Sequence, residues 1–408
     1  MRLSSVLLSS AIATSFGAAN LLAQGGAAQA DTLNDPVRIM VSQLTLDKYK
    51  NTIKGLTQFG DRRQGTKRNR DAVDWIEAQL KSYGCATERI VYQYNPAPRN
   101  PNPAGRGGAG GGRGGPPSQV AQGGGRYRGI RERTGVNNDS LKQPDPAIRA
   151  MDTEQTTNGE RQEVYCTKIG STHPEEMYIV GGHMDGIGWG QAANDDGSGT
   201  AIVMELARIF SDPNVVTDRT IRFALWNNEE SGLEGAKAYV AQREALQGKE
   251  SPAGSHRYPE PKWLGMVQHD MMMFDHGAPR ADGTMSPDQR PEADVNIEFQ
   301  TTAKMADAAN KLAWFFQSSN EKYATDYPAR VGQHMTNTDS DPFKDLIPAI
   351  SLRENERGEQ IGAGWDPNWH QPTDVFTTYS DKDFRLGLNA AQTTLSAIAQ
   401  LTGAKLKK

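Results

Sequence analysis

Short apolar runs alternate with amphipathic stretches through the second half of the chain. Four runs have the length of buried strands, and four stretches carry apolar residues at helical spacing. The predicted strands are 177–180, 221–226, 263–267 and 348–352, and the predicted helices are 199–210, 233–246, 303–319 and 381–401. Such alternation is typical of a mostly parallel twisted sheet covered by helices on both faces. We therefore predict a single domain with an α/β fold of this type.

The first half of the chain has a less regular pattern. A helix is predicted over 66–83, where apolar residues recur on one stripe, and residues 89–94 alternate as in a strand. From 105 to 129, twelve of twenty-five residues are glycine and the only charges are four arginines. This composition cannot bury enough apolar surface to offset the entropy lost on ordering. We therefore predict a disordered insertion at about residues 96–135.

The first thirty residues resemble an export signal. Arg2 is the only charge before Asp31, a short apolar stretch follows it, and Ala28-Gln29-Ala30 supplies small residues at the spacing of a cleavage site. Residues 1–30 are therefore predicted to be a signal peptide, and the mature chain 31–408 to be secreted or periplasmic. An ordinary buried N-terminal helix is the alternative interpretation.

Composition excludes several classes of protein. The 408 residues include 45 Lys and Arg against 49 Asp and Glu, and this near-balance argues against a globally basic nucleic-acid-binding protein. Arg-Gly triplets in the insertion can bind RNA, but we favour a flexible surface insertion. Two cysteines exclude a disulfide framework and a four-thiolate zinc site; whether Cys85 and Cys166 pair stays open. No later run reaches the roughly 18 apolar residues of a membrane span.

Acidic and imidazole side chains follow the carboxyl ends of the predicted strands. Ligands of open α/β sheets bind at this edge, so we expect these side chains to converge. A further aspartate precedes the helix at 199, and a last histidine lies beyond the fourth strand. In chain order, the candidates are His183, Asp185, Asp195, Glu229, Glu230, Asp270 and His370.

The chemistry of these side chains indicates zinc, because zinc accepts both imidazole and carboxylate ligands. Five ligands exceed what one tetrahedral ion with an open position needs, but they fit two ions that share a carboxylate. Asp195 is well placed to be shared. Asp185, two residues after His183, is a candidate to orient that imidazole. Of the adjacent Glu229 and Glu230, one can bind metal while the other acts as general base.

Five motifs around these residues resemble the signature motifs of the co-catalytic dizinc aminopeptidases of peptidase family M28. They are His183-x-Asp185, Asn194-Asp195-Asp196-Gly197-Ser198-Gly199, Asn228-Glu229-Glu230-x-Gly232-Leu233-x-Gly235, His269-Asp270-Met271 and His370-x-Pro372-x-Asp374. The resemblance covers roughly residues 54–94 and 163–402. It implies a zinc-exopeptidase fold, two Zn²⁺ per chain, and hydrolysis of peptides that have a free terminus, as an aminopeptidase.

The resemblance also implies how the metal ligands are divided. His183 and Glu230 would hold one zinc ion, and Asp270 and His370 the other. Asp195 would bridge the two ions.

Catalytic and supporting roles follow from the same resemblance. Glu229 would be the general base, and Asp185 would orient His183. Ser340 would support the imidazole of the last histidine. Some members have a tyrosine three residues before this serine, where Asn337 stands here, so the group that polarises the scissile carbonyl is unassigned.

Several alternatives remain open at this point. The segment from Trp189 to Gly197 also resembles secreted carboxypeptidases of the same family, so a carboxypeptidase or dipeptidase is one alternative. A glutaminyl cyclase is another, although such cyclases work with one zinc ion. A non-catalytic binding ectodomain would be expected to lose ligands, and none is lost here. We interpret Asp196 as a solvated charge at a helix start and Met271 to Met273 as core residues. The oligomeric state is not predicted.

Overall fold

The computed structural model describes residues 34–96, 135–275, 295–332, 337–354 and 366–407. The predicted signal peptide and nearly all of the predicted insertion lie outside these residues. Among the described helices, none combines the length and apolar content that crossing a bilayer requires.

Eight of ten described strands form one central sheet, in the order β1-β2-β5-β3-β6-β9-β7-β8, and β4 pairs with β10. In chain order the strands are β1 (Ala86–Tyr94), β2 (Gly159–Lys168), β3 (His173–His183), β4 (Val215–Val216), β5 (Arg219–Trp226), β6 (Lys262–His269), β7 (Val295–Glu298), β8 (Ala329–Gly332), β9 (Ala349–Arg353) and β10 (Lys405–Leu406). Strands β5, β3, β6 and β9 are parallel neighbours, whereas β1, β2 and β7 join by antiparallel pairs. The predicted mostly parallel sheet is confirmed.

Helices cover both faces of this sheet, also as predicted. They are α1 (Pro36–Val41), α2 (Leu46–Thr57), α3 (Lys67–Ser82), α4 (Pro146–Asp152), α5 (Gly197–Phe210), α6 (Glu234–Arg243), α7 (Ala306–Tyr323) and α8 (Asp381–Leu401). The larger core lies between the sheet and α2, α3, α5, α7 and α8. A smaller aromatic core lies on the other face, where α6 packs near Phe343. The predicted helix over 381–401 has the observed bounds of α8.

A disulfide joins Cys85 and Cys166, the pairing that the sequence left open. Cys166 lies opposite Thr87 in the antiparallel pair of β1 and β2, so the two cysteines are brought together by the register of these strands. The bond therefore links the two strands that flank the predicted insertion.

Candidate metal centre

The carboxyl ends of three adjacent parallel strands bring the first candidate ligands together. His183 is the last residue of β3, and Asp270 directly follows β6, the neighbour of β3 on one side. Glu229 and Glu230 lie in a short 3₁₀ turn after β5, the neighbour on the other side. Parallel strands end at the same edge of a sheet, so this topology accounts for the convergence that the sequence predicts.

Asp195 enters the site from the turn that precedes α5. The next residue, Asp196, caps this helix by accepting a hydrogen bond from the backbone N–H of Gly199 at 2.9 Å. It also accepts from the backbone N–H of His183 at 3.0 Å and of Met271 at 3.2 Å. Asp196 is fully buried, so the prediction of a solvated charge is wrong. Its carboxylate joins the ends of two strands to the start of a helix.

The carboxylate of Asp195 lies between the two imidazoles. Its Oδ1 is 3.3 Å from Nε2 of His183, and its Oδ2 is 2.9 Å from Nε2 of His370. One carboxylate thus presents a different oxygen to each histidine. This is the arrangement expected of a carboxylate that two metal ions share.

The candidate side chains form two clusters, one of which includes Asp195. In each cluster the ligand atoms all lie within 4.8 Å of one another; the clusters are His183 with Glu229 and Asp270, and Asp195 with Glu230 and His370. All five predicted metal ligands are therefore brought together.

The division of the ligands differs from the one predicted. Nε2 of His370 lies 3.0 Å from Oε1 of Glu230, and Nε2 of His183 lies 3.9 Å from Oδ1 of Asp270. The structure thus groups Asp270 with His183 and Glu230 with His370, contrary to the predicted pairs. β3 neighbours both β5 and β6 in the sheet, and of the two glutamates after β5 it is Glu229 that lies with His183, while Glu230 lies with His370.

The site carries more negative charge than its two imidazoles balance. Burial by itself lowers the pKa of His370, but the charge of Glu230 and the hydrogen bonds with Asp195 and Glu230 raise it to about 10. Burial also opposes charge on His183, yet Asp196 and Glu229 raise its pKa well above the ordinary value. A buried cluster of carboxylates that draws protons onto histidine fits divalent cations, which supply the missing positive charge.

Glu229 lies in the cluster with His183 and Asp270 and is buried. Its backbone N–H donates to Oδ1 of Asp185 at 3.1 Å. Burial, reinforced by the charges of Glu230 and Asp270, raises the pKa of the Glu229 carboxyl well above its ordinary value. A carboxyl group with a raised pKa accepts a proton more readily than an ordinary one, as a general base must.

Two predicted supporting contacts are different in the structure. Nδ1 of His183 bonds to the backbone carbonyl of Asp185 at 3.0 Å, whereas the Asp185 carboxylate is 3.9 Å away. The imidazole is therefore held by the main chain, and the carboxylate holds the turn of Glu229 instead. Ser340 pairs with the hydroxyl of Ser351 at 2.7 Å. Within the described ranges, Nδ1 of His370 has no hydrogen-bond partner, so the predicted support from Ser340 is wrong.

The backbone at Asp195 is held by a residue whose role the sequence did not reveal. Asp374 accepts hydrogen bonds from the N–H groups of Asn194 at 2.8 Å and Asp195 at 3.1 Å. It lies in the last motif, four residues after His370, so its place in that motif was the available signal. Trp369 stacks on the imidazole of His370 with ring centroids 3.8 Å apart.

Two buried arginines were also missed. Nη2 of Arg353 lies 2.5 Å from Oδ2 of Asp270, and Nε of Arg353 lies 3.8 Å from Glu298. Arg353 ends β9, the next strand after β6 in the sheet, so the strand-end argument extends to it. Arg62 is fully buried and donates to the backbone carbonyls of Met184 at 2.7 Å and Ala192 at 2.8 Å. No sequence signal connects Arg62 with that loop.

The sequence of the chain is similar to those of known peptidases. A sequence model of Peptidase family M28 matches residues 164–393, more than half of the chain. Carboxypeptidase Q of Xenopus laevis is 42% identical over 71 residues, which are 17% of this chain and 15% of that protein. The probable lipoprotein aminopeptidase LpqL of Mycobacterium tuberculosis is 26% identical over 242 residues, covering 57% of this chain and 43% of that protein. The chain thus matches less than half the length of these curated relatives.

Similarity in three dimensions extends further along the chain. An aminopeptidase from Aneurinibacillus sp. strain AM-1 superposes with a TM-score of 0.59 at 20% sequence identity, covering 91% of this chain and 97% of that one. At this identity the likeness concerns the fold. The family match is carried by the sequence itself, and its residues include all seven candidates at the sheet edge. The chain belongs to peptidase family M28.

Proposed function

We propose that this protein is a dizinc exopeptidase that removes residues from the amino terminus of peptides. The observation that carries the proposal is the position of Asp195, whose two carboxylate oxygens face His183 at 3.3 Å and His370 at 2.9 Å. A single-ion site does not require a carboxylate whose two oxygens face two different histidines. Sites with two ions share a carboxylate in this way.

The ligands are assigned by the observed grouping. His183 and Asp270 would hold one zinc ion, Glu230 and His370 would hold the other, and Asp195 would be common to both. When bound, such a pair of ions polarises the scissile carbonyl and lowers the pKa of water. The ligand side chains are buried or partly buried, so each charge there acts more strongly than it would in solution.

Glu229 is the residue we assign to proton transfer. Its carboxylate takes a proton from the attacking water molecule and later donates that proton to the departing amine nitrogen. The carboxyl must therefore gain and lose a proton within one reaction cycle, and its raised pKa favours the first of these two steps. Asp185 contributes by holding the backbone of Glu229 through the 3.1 Å hydrogen bond.

Preference for the amino terminus rests on the relatives. The solved structure that superposes on 91% of this chain is named an aminopeptidase, as is the relative that matches 57% of it. The second candidate is a carboxypeptidase, because carboxypeptidase Q is 42% identical over the 71 matched residues.

A panel of peptides with blocked ends distinguishes these candidates. We expect hydrolysis of a free peptide and of its C-amidated form, and none of the N-acetylated form, because an aminopeptidase needs a free amino group. A chelator should abolish activity. Cleavage of the acetylated peptide together with loss of the amidated one would replace the proposal with a carboxypeptidase, and cyclisation of N-terminal glutamine would replace it with a glutaminyl cyclase.

Metal content provides a separate prediction. Protein purified without chelator should contain two equivalents of zinc per chain by plasma emission spectroscopy, because the site offers two ligand clusters joined by Asp195. Asp195→Asn keeps the shape of the shared side chain but removes its charge, so we expect it to retain one equivalent or fewer. Asp212→Asn, in a turn whose next two residues are exposed, is the matched control. Less than one equivalent in the wild-type protein would contradict the dizinc assignment.

We further propose that the chain is exported, and that residues 31–408 form one peptidase domain that the insertion at about 96–135 interrupts. The disulfide between Cys85 and Cys166 supports export, since disulfides persist in oxidising compartments. A relative described as a lipoprotein aminopeptidase supports it as well.

A further inference from the structure

The segment that follows the insertion packs against the candidate metal centre. We call residues 135–145 the strap. Within it, Asn137 and Gln143 are buried, with 6% and 2% of their surfaces exposed, although Leu141 between them is 78% exposed. Buried amide side chains in an exposed segment need hydrogen-bond partners, and these partners show what the strap does.

The strap lies across a seam between two loops that carry metal ligands. We call the contact of residues 186–195 with residues 370–374 the ligand seam. The backbones of the two loops lie so close together that a Cβ atom added to Gly188 would be 2.3 Å from the carbonyl carbon of His370. The N–H of Gln191 donates to the carbonyl of Asp374 at 2.7 Å. The seam thus connects the loop that carries Asp195 with the loop that carries His370.

Gln143 bonds to both sides of the ligand seam with one amide group. Its Nε2 donates to the carbonyl of Trp189 at 2.6 Å and to that of Pro372 at 3.0 Å. Its Oε1 accepts from the N–H of Asp145 at 3.0 Å, which fixes the direction of the amide. Every polar atom of this buried side chain is therefore used.

Asn137 adds two contacts at the same seam. Its backbone N–H donates to the carbonyl of His370 at 3.0 Å, and its side chain donates to the carbonyl of Gly188 at 3.4 Å. His370 has a φ of 56°, in the left-handed region that residues other than glycine rarely adopt. Such a conformation persists only where the surroundings hold it. The strap supplies part of that support.

We propose that Gln143 is a positioning residue for the metal centre. Its amide holds the two loops of the ligand seam at the separation that lets Asp195 and His370 bind the same ion. This inference rests on the proposed metal site. It assigns to the strap a function that the sequence motifs do not include, since Gln143 lies outside all five of them. The amide suits this task because its two N–H groups can serve one loop each.

The test is the zinc affinity of the full-length protein, measured by competition with a chromophoric chelator. Gln143→Met keeps the length of the side chain but removes both donors, and we expect the affinity for the more weakly bound zinc ion to fall about tenfold. Gln155→Met is the matched control, because Gln155 is exposed and its amide donates only to Thr153 within its own loop. The melting temperature of the zinc-free proteins is measured in parallel, since a purely structural role would lower it without changing zinc affinity in the folded protein.

The outcomes separate this inference from the proposed function. Wild-type protein that binds no zinc would overturn both. Wild-type protein that binds two zinc ions, with Gln143→Met folded and its affinities within twofold of wild type, would overturn the role of Gln143 alone. If Gln143→Met does not fold, Gln143→Asn retains an amide that is one methylene too short to reach both loops. Weaker zinc binding in that variant would support the proposal, and unchanged binding would overturn it.

Discussion

Replacing Glu229 with glutamine is expected to lower kcat/KM for peptide hydrolysis by about 10³-fold. The amide has nearly the same shape as the carboxylate, but it cannot accept the proton of the attacking water molecule. Its hydrogen-bonded turn should remain, because the contact with Asp185 uses the backbone N–H of Glu229. Steady-state kinetics with an unblocked peptide measure the loss, and metal analysis should show the zinc content unchanged.

The control for this variant lies on the same stretch of chain. Glu234→Gln makes the same chemical change five residues later, where the side chain is partly exposed and lies 3.2 Å from Lys237. We expect wild-type kinetics from it. If Glu229→Gln retained more than a tenth of wild-type activity while binding both zinc ions, the general base would have to be another residue. If it lost zinc, Glu229 would be a ligand, which its place in the cluster with His183 also permits.

The location of the site could be predicted from two regularities, the apolar runs of buried strands and the shared edge at which parallel strands end. Buried parallel strands contain apolar runs, so the polar residues that follow such a run lie near the end of the strand. His183 and Asp270 lie within one residue of the ends of β3 and β6. Parallel strands present these ends at one edge, so the residue types alone indicate a shared site. The same reasoning reaches Arg353 at the end of β9, once basic residues are considered as well as acidic ones.

The division of ligands between two ions was not available from the sequence. Motif order follows the chain, whereas contact follows the order of strands in the sheet. The chain visits β3, β5 and β6 in sequence, but β3 lies between the other two in the sheet. Strand order accounts for the contact of Asp270 with His183, 87 positions apart in the sequence. Which of the two glutamates after β5 joins His183 depends on the turn that carries them, where Glu229 lies with His183 and Glu230 with His370. Strand order depends on the packing of the whole domain and cannot be predicted from any local sequence pattern.

Buried polar residues were the other class that the sequence could not reveal. Asp196 and Arg62 belong to residue types that are usually exposed, and their burial depends on partners that are distant in sequence. Asp196 bonds to the backbone N–H of Met271, 75 residues away. Arg62 bonds to the carbonyl of Ala192, 130 residues away. Each side chain is buried because a loop offers it unpaired backbone groups, and such loops are known only once the fold is known.

Replacing Arg353 with methionine is expected to lower the free energy of unfolding by about 3 to 5 kcal/mol, the range found when one member of a buried ion pair is removed. Arg353 is 2% exposed and lies beside two buried carboxylates, those of Asp270 at 2.5 Å and Glu298 at 3.8 Å. Methionine fills a similar volume but leaves both carboxylates without the cation. Urea denaturation of the zinc-free protein measures the change.

The same substitution should weaken zinc binding at the cluster of His183 and Asp270. Burial raises the pKa of Asp270, but the charge of Arg353 and the hydrogen bond and charge of His183 together outweigh burial and lower the pKa to about 2. Without Arg353 the pKa rises, and a proton competes with zinc for the carboxylate, so affinity should fall more steeply as the pH is lowered. Arg385→Met, on the exposed face of α8, is the control for the loss of one positive charge. An unfolding free energy within 1 kcal/mol of wild type, with zinc affinity unchanged at low pH, would show that Arg353 does not keep the Asp270 carboxyl ionised.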